Sequence, residues 1–300
     1  MDIPRSIVMK KLLFIINPKA GLKKNKNYID DAVKVFEDAG YKVGIKYTKK
    51  RLDGTNIARE YGAKVDLVVC MGGDGTLNEV IQGMVEKNVT TPLGYIPAGS
   101  TNDFATSLGL KSDPKEQAEF IVENEARPLD MGMFNGRYFV YTASAGIFTK
   151  TSYSTPQKMK NRLGHFAYIL HGSRELFHIR KLKLKIELED KTYEGKYIFA
   201  AINNATKVGG IMKLDKDLVE FNDGMFELML VEFPKGPIEF IKLAAKIFTQ
   251  KFTGKITLEQ IKCARITDCT YIDWSLDGEE EKGRAVVDFK VIHDAVNFIY

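Results

Sequence analysis

The sequence predicts an α/β protein in two parts: an N-terminal doubly wound, mostly parallel α/β domain, then a C-terminal antiparallel β-sandwich-like domain, with the active site expected in the cleft between them. Three observations predict it. Short apolar runs alternate with helix-period segments over the first third. From about Arg127 strand-like segments follow one another, and Asn135-Gly136 is a hairpin signal. Glycine-rich polar loops sit where the early strands end, which is where ligands of such sheets bind. The expected divisions are 8–133, 134–291 and a tail, 292–300, packing back on the N-terminal domain.

Lys11–Ile16 reads as a buried strand that stops at Asn17-Pro18. Ile29, Ala32, Val33 and Phe36 recur at helical spacing, and Gly40 closes that helix. Tyr41–Thr48 is a second strand, and Ile57–Tyr61 lies in a short helix stopped by Gly62. Asp66–Met71 is a third strand and Leu77–Val85 the helix after it. Leu93–Ile96 is a fourth, with another helix beyond Thr101. In the second half the expected strands are Leu129–Phe134, Tyr138–Tyr141, Lys181–Leu188, Tyr193–Ile202, Met225–Phe233, Ala264–Thr267, Tyr271–Leu276 and Ala285–Val291. Helices interrupt them at Leu163–Phe177 and Pro237–Thr249.

Lysines and arginines number 44 against 39 aspartates and glutamates. That excess gives no argument for nucleic acid and permits only weak attraction to an anionic membrane surface. The three cysteines (Cys70, Cys263, Cys269) show no zinc-type spacing and read as buried thiols in a reducing cytosol. The run Leu12–Ile16 is too short for a secretory signal, and no apolar stretch reaches the 18 or so residues of a spanning helix. The four histidines, His165, His171, His178 and His293, show no metal spacing.

Gly72-Gly73-Asp74-Gly75-Thr76 follows a strand and opens a helix. Its glycines let main-chain amides approach a bulky anion, and the helix adds its positive end. An aspartate there would be repelled by phosphate unless a divalent cation intervened, so Asp74 suggests Mg²⁺ held with nucleotide phosphates. A tight turn with Asp74 as N-cap is the alternative. The loop resembles that of diacylglycerol and sphingoid-base kinases, NAD kinases and phosphofructokinases.

Two further segments narrow the resemblance. Asn17-Pro18-Lys19-Ala20-Gly21 is similar to the Asn-Pro-x-(Ala/Ser)-Gly element of the lipid kinases. Gly99-Ser100-Thr101-Asn102-Asp103-Phe104-Ala105 resembles their Gly-Thr-x-Asn-Asp-Phe-Ala element, with Ser100 or Thr101 as donor and Asn102 or Asp103 as helix cap. All three occur in the expected order. The resemblance, running from about Lys11 to Val291, implies ATP contacts at Asn17–Gly21, Thr48, Gly72, Gly73, Asp74, Gly75, Thr76, Leu77, Asn78, Glu79 and Thr101.

Gly209-Gly210-Ile211-Met212 followed by Glu220-Phe221-Asn222-Asp223-Gly224-Met225 resembles the bacterial diacylglycerol-kinase domain, which implies a structural Mg²⁺ on the Asp223 carboxylate and the Glu220 and Met225 carbonyls. A metal-free hairpin is the alternative. Ser275-Leu276-Asp277-Gly278-Glu279 is similar to the family's Asp-Gly-Glu element. Asp277 is the first choice of general base, with Glu279 an alternate or metal partner. Lys158, Lys160, Arg162, Arg174 and Lys181 form a basic flank around Leu163–Phe177, either a membrane-facing element or a core helix with a solvated end.

The expected function is a cytoplasmic, peripheral lipid kinase. It would use ATP and Mg²⁺ on a lipid at a membrane surface, diacylglycerol first. The resemblance implies neither nucleic acid nor a transmembrane segment, and it allows a homodimer. A sphingoid base, phosphatidylglycerol, a monoacylglycerol or a polyprenol-like alcohol are alternative acceptors. NAD kinase and a non-catalytic binder are the rival readings.

Overall fold

The computed structural model describes residues 9–20, 27–99, 102–147, 181–208, 212–213 and 219–300. The expected helix Leu163–Phe177 and most of its basic flank, together with Gly21, Ser100 and Thr101, lie outside them. The chain divides into two compact units, Met1–Leu129 with Asp294–Tyr300, and Asp130–His293.

In the first unit strands β1 (Lys10–Ile16), β2 (Tyr41–Tyr47), β3 (Leu67–Gly72) and β4 (Leu93–Pro97) alternate with helices α1 (Asn27–Asp38), α2 (Asp53–Tyr61), α3 (Asp74–Val85), α4 (Asp103–Leu108) and α5 (Pro114–Glu123). The strands are parallel in the order β4-β3-β1-β2. Every residue of β3 and β4 is buried, as a sheet covered on both faces requires. The apolar stripe of α1 packs onto β1, with Phe36 edge-on to Phe14 at 5.7 Å between centroids.

Helix α2 starts four residues before Ile57, because the Asp53 carboxylate accepts the Lys49 and Lys50 amides and folds the chain into it. The α-helix ends at Tyr61 with Gly62 at its C-cap, as expected, but Gly62 keeps a right-handed φ of −54° and opens a 3₁₀ turn, Gly62–Lys64. The sequence reading did not anticipate α5, although the Asp113 side chain caps it and Pro114 opens it.

The second unit holds β5 (Arg127–Phe134, from Asp130 on), β6 (Arg137–Phe139), β7 (Thr142–Gly146), β8 (Leu182–Glu187), β9 (Thr192–Asn203), β10 (Lys207–Val208), β11 (Met212–Lys213), β12 (Phe226–Glu232), β13 (Ile256–Ile261), β14 (Cys263–Thr267), β15 (Trp274–Leu276) and β16 (Glu279–Glu281). It also takes the first part of β17 (Val286–Phe298), whose end pairs with β4 in parallel within the first unit. The pairings within the second unit are antiparallel, in the order β16-β15-β7-β9-β8-β14-β17, with β12 on β9 and β13 on β12.

Alternate residues of β9 and β12 enter different cores. Ala200, Ile202, Leu228 and Leu230 go to one side. Phe199, Ala201, Met229 and Val231 go to the other, where helix α6 (Pro237–Phe248) adds Leu243 and Ile247. Five described strands of this unit escaped the sequence reading, β7, β13 and β16 and the two-residue strands β10 and β11. The small residues of β7 and the three glutamates of β16 carry no strand propensity, while β13 alternates too weakly to stand out. Cys70 and Cys269 are buried as expected, but Cys263 is only half-buried.

Glu227 breaks the apolar pattern of β12. It is 2% exposed, and burial, with the Asp223 charge adding to it, pushes its carboxyl up to about 8. The folded protein therefore keeps a proton that the unfolded chain loses near its ordinary value of 4.5. Stability is greatest below that value and falls as pH rises through the folded one. Glu227→Gln, which keeps the shape without the charge, should melt several degrees above the parent at about pH 9 and alongside it at about pH 4. Parallel melting curves across that range would show the assignment to be wrong.

Candidate active site

Three turns at the carboxyl ends of β1, β3 and β4 are tied to one another. Asn17 leaves β1 through its amide bond to the Met71 carbonyl, and its side chain donates to Thr76 Oγ1 at 2.9 Å. Its own carboxamide oxygen accepts the Lys19 amide, folding the Pro18 turn back. Ala98 N–H donates to the Gly72 carbonyl at 2.6 Å. Beside this bond the backbones of Gly73 and Gly99 touch: a Cβ on Gly99 would lie 2.7 Å from Gly73 Cα. Only glycine permits that approach.

Asp74 is the first residue of α3, and Gly73 occupies the N-cap position. Its Oδ2 accepts the Asp103 amide at 3.0 Å, so the carboxylate ties the second turn to the third. The cap expected of Asn102 or Asp103 is not made. Asn102 sits at the N-cap of α4 with a left-handed φ of 48°, and its side chain both accepts from Gly99 N–H and donates to Gly99 C=O.

Gly75 has no such structural explanation. It lies within α3, and a Cβ there would meet nothing within 4 Å. Glycine in a helix costs roughly 1 kcal/mol relative to alanine, so its use fits a ligand approaching the backbone there.

Neighbouring side chains have supporting roles. Thr48 is buried and bonds the Ile16 carbonyl through its amide, while Leu77 is buried. The Glu79 carboxylate accepts the Leu52 and Gly54 amides and holds the turn after β2. Tyr95 was missed by the sequence reading. Fully buried under the second turn, its hydroxyl donates to the Gly72 carbonyl at 3.0 Å, and burial holds its proton on far above the ordinary range. An aromatic in an apolar strand gives no sign of such a bond.

In the second unit, Asp277 and Gly278 form the two-residue turn between β15 and β16, with φ of 49° and 86°. This primed turn suits an Asp-Gly pair. It is no ordinary exposed hairpin, since Asp277 is 6% exposed. Its carboxylate accepts three successive amides, Val140 at 2.6 Å, Tyr141 at 3.0 Å and Thr142 at 3.0 Å. Two residues on, the more open Glu279 side chain pairs with Arg137. The three-amide cradle was invisible in sequence because Val140 and Tyr141 contribute only backbone.

Asp223 lies in a turn completed by Gly224 at φ 75°. Its oxygens accept the Met225 amide at 2.8 Å and the Gln260 side chain at 3.2 Å, and buried Asp130 accepts the Gly224 amide at 2.7 Å. A carboxylate and main-chain carbonyls, the donors expected from Asp223, Glu220 and Met225, are the hard oxygen ligands that Mg²⁺ prefers.

Removing the hydroxyl below the second turn should loosen that turn without touching a ligand. Tyr95→Phe is expected to cost roughly 1 kcal/mol of stability and to weaken nucleotide binding several-fold. Calorimetric titration with adenine nucleotide measures this. Unchanged affinity would show that the Gly72 carbonyl needs no support.

The family described as diacylglycerol kinase catalytic domain matches residues 11–134. The diacylglycerol kinase of Bacillus subtilis (strain 168) is 37% identical over 238 residues, 79% of this chain and 78% of that protein. That of Staphylococcus aureus (strain MRSA252) is 32% identical over 272 residues, 90% and 86%. The crystal structure of a diacylglycerol kinase from Bacillus anthracis str. Sterne shares the fold, with a TM-score of 0.76 at 23% identity over 98% of each chain. A second solved chain from that organism gives 0.81 at 24% identity over 97% of each. By the extent and identity of its likeness to these relatives, the chain belongs to the diacylglycerol kinase family.

Proposed function

We propose that the protein transfers the γ-phosphoryl group of ATP to the hydroxyl of diacylglycerol, giving phosphatidic acid and ADP. The observation that carries this reading is the joining of the Asn17, Gly73 and Gly99 turns, with Gly75 left open to a ligand. The names of the relatives support the acceptor. Amides of these turns bind the phosphates and orient the γ-phosphorus for in-line attack. Asn17–Gly21, Thr48, Gly72–Glu79 and Thr101 are the proposed contacts, with Leu77 and Glu79 acting through backbone or support.

Magnesium fits two donor sets of this chain: Asp74 beside the nucleotide turns, and Asp223 with the Glu220 and Met225 carbonyls. Bound with the nucleotide, it supplies neutralisation of phosphate charge.

As the lipid oxygen bonds to the γ-phosphorus, the bond to ADP breaks and the hydroxyl proton passes to a carboxylate. Glu279 suits that role better than Asp277. Three amides already hold the buried Asp277 carboxylate, which makes it an anchor for the hairpin. The Glu279 side chain is 39% exposed and more accessible to a hydroxyl. Among the described residues no helix is long and apolar enough to cross a membrane.

A total lipid extract incubated with enzyme and ATP, and read by mass spectrometry, should gain phosphatidic acid. Glu279→Gln should cut that product on the order of a hundredfold while retaining nucleotide affinity. A phosphorylated sphingoid base or monoacylglycerol instead would overturn the acceptor, phosphorylated NAD the lipid class, and full activity of the variant the base.

A further inference from the structure

Arg137 opens β6 directly after the Asn135-Gly136 turn, whose φ values of 51° and 82° fix where the strand begins. Its guanidinium reaches across the β15–β16 hairpin. One nitrogen, Nη2, donates to Glu279 Oε2. The other, Nη1, donates to Glu281 Oε2 at 3.0 Å and to the Glu280 carbonyl at 3.2 Å. The same short segment supplies the Val140, Tyr141 and Thr142 amides that hold Asp277. Residues 137–142 thus grip the hairpin at its turn and along its second strand.

An isolated exposed ion pair orders little, because both long side chains keep their freedom. Arg137 differs. It is half-buried, and its planar fork is fixed through Nη1 by Glu281 and a main-chain carbonyl, leaving Nη2 aimed at Glu279. A fixed fork restricts the rotamers of a glutamate side chain that is 39% exposed, and only some rotamers face an attacking hydroxyl. A loose phosphoryl-transfer transition state asks little of a base beyond correct placement. A base oriented by a third group is a recurring arrangement in catalytic sites.

We propose that Arg137 is a positioning residue: its guanidinium, anchored by Glu281 and the Glu280 carbonyl, holds the Glu279 carboxylate in the orientation that receives the proton of the lipid hydroxyl. This rests on the reading of Glu279 as the base. The clamp forms no bond to substrate and acts only through Glu279.

The test is a double-mutant cycle on the purified full chain, with ATP and diacylglycerol in mixed micelles. Arg137→Ala should lower kcat about tenfold or more, with the KM for ATP within about twofold of the parent. In a Glu279→Gln background the same change should cost nothing further. Arg137→Lys should recover little, because the shorter side chain with one nitrogen cannot reproduce the fixed fork that contacts Glu279, Glu281 and the Glu280 carbonyl together, whereas added guanidinium ion should restore part of the Arg137→Ala rate. If Arg137→Ala fails to fold, Glu281→Gln replaces it: a several-fold loss of kcat that vanishes beside Glu279→Gln. A parent-like kcat for these variants, or losses that multiply with that of Glu279→Gln, would overturn the clamp. Full activity of Glu279→Gln alone would instead overturn the base assignment, and the clamp with it.

Discussion

The contact between Gly73 and Gly99 is the constraint around which the N-terminal unit is organised. Two polypeptide turns from different strands approach until a single methyl group would not fit between them. The Ala98 to Gly72 bond and the Asp74 to Asp103 bond accompany that approach, and the Asn17 to Thr76 bond adds the first turn to the second. The fully buried strands β3 and β4 set it up. They run parallel and in register to their last residues, Gly72 opposite Pro97, so their carboxyl ends finish side by side. Tyr95 then supports the Gly72 carbonyl from below. A hydrophobic sheet thereby fixes amide groups that would be mobile on separate loops, and pre-set dipoles are what a phosphate site needs.

The second unit solves a different problem, that of holding carboxylates where they can act. An acidic run on a hairpin would ordinarily be solvated and mobile. Here Asp277 is turned inward onto three amides, Glu279 and Glu281 share Arg137, and Glu281 also meets Arg284 at 3.2 Å. Each negative charge has a defined partner, which converts a flexible loop into a shaped one. The cradle of successive amides is the sheet-edge counterpart of the role proposed for the three turns: backbone donors aimed at an anion.

Much of the first unit was legible in the chain itself, for a physical reason. Buried parallel strands must be apolar throughout, so Leu67–Met71 announces itself, and the following glycine-rich turn falls where strand meets helix. The three turns at the carboxyl ends of β1, β3 and β4 were visible because glycine and proline punctuate the chain where the backbone does something unusual. What stayed hidden were contacts made by atoms every residue has. Val140 and Tyr141 hold Asp277 through amides alone, and Tyr95 looks like any core aromatic. Strand β7, built of small residues, owes its existence to its neighbours β9 and β15 and not to local propensity. The Asp277-Gly278 pair is legible as a turn between strands, while the amides that hold Asp277 and the Arg137 side chain on Glu279 are not.

The central claim is that three turns serve one triphosphate. Hydrogen–deuterium exchange of the full chain, with and without ATP and magnesium, measures it most directly. Joint slowing at Lys19–Ala20, Gly73–Thr76 and Asn102–Asp103, saturating at a single nucleotide concentration, is the predicted result. Protection confined to one turn, or appearing elsewhere while these amides exchange as before, would contradict it.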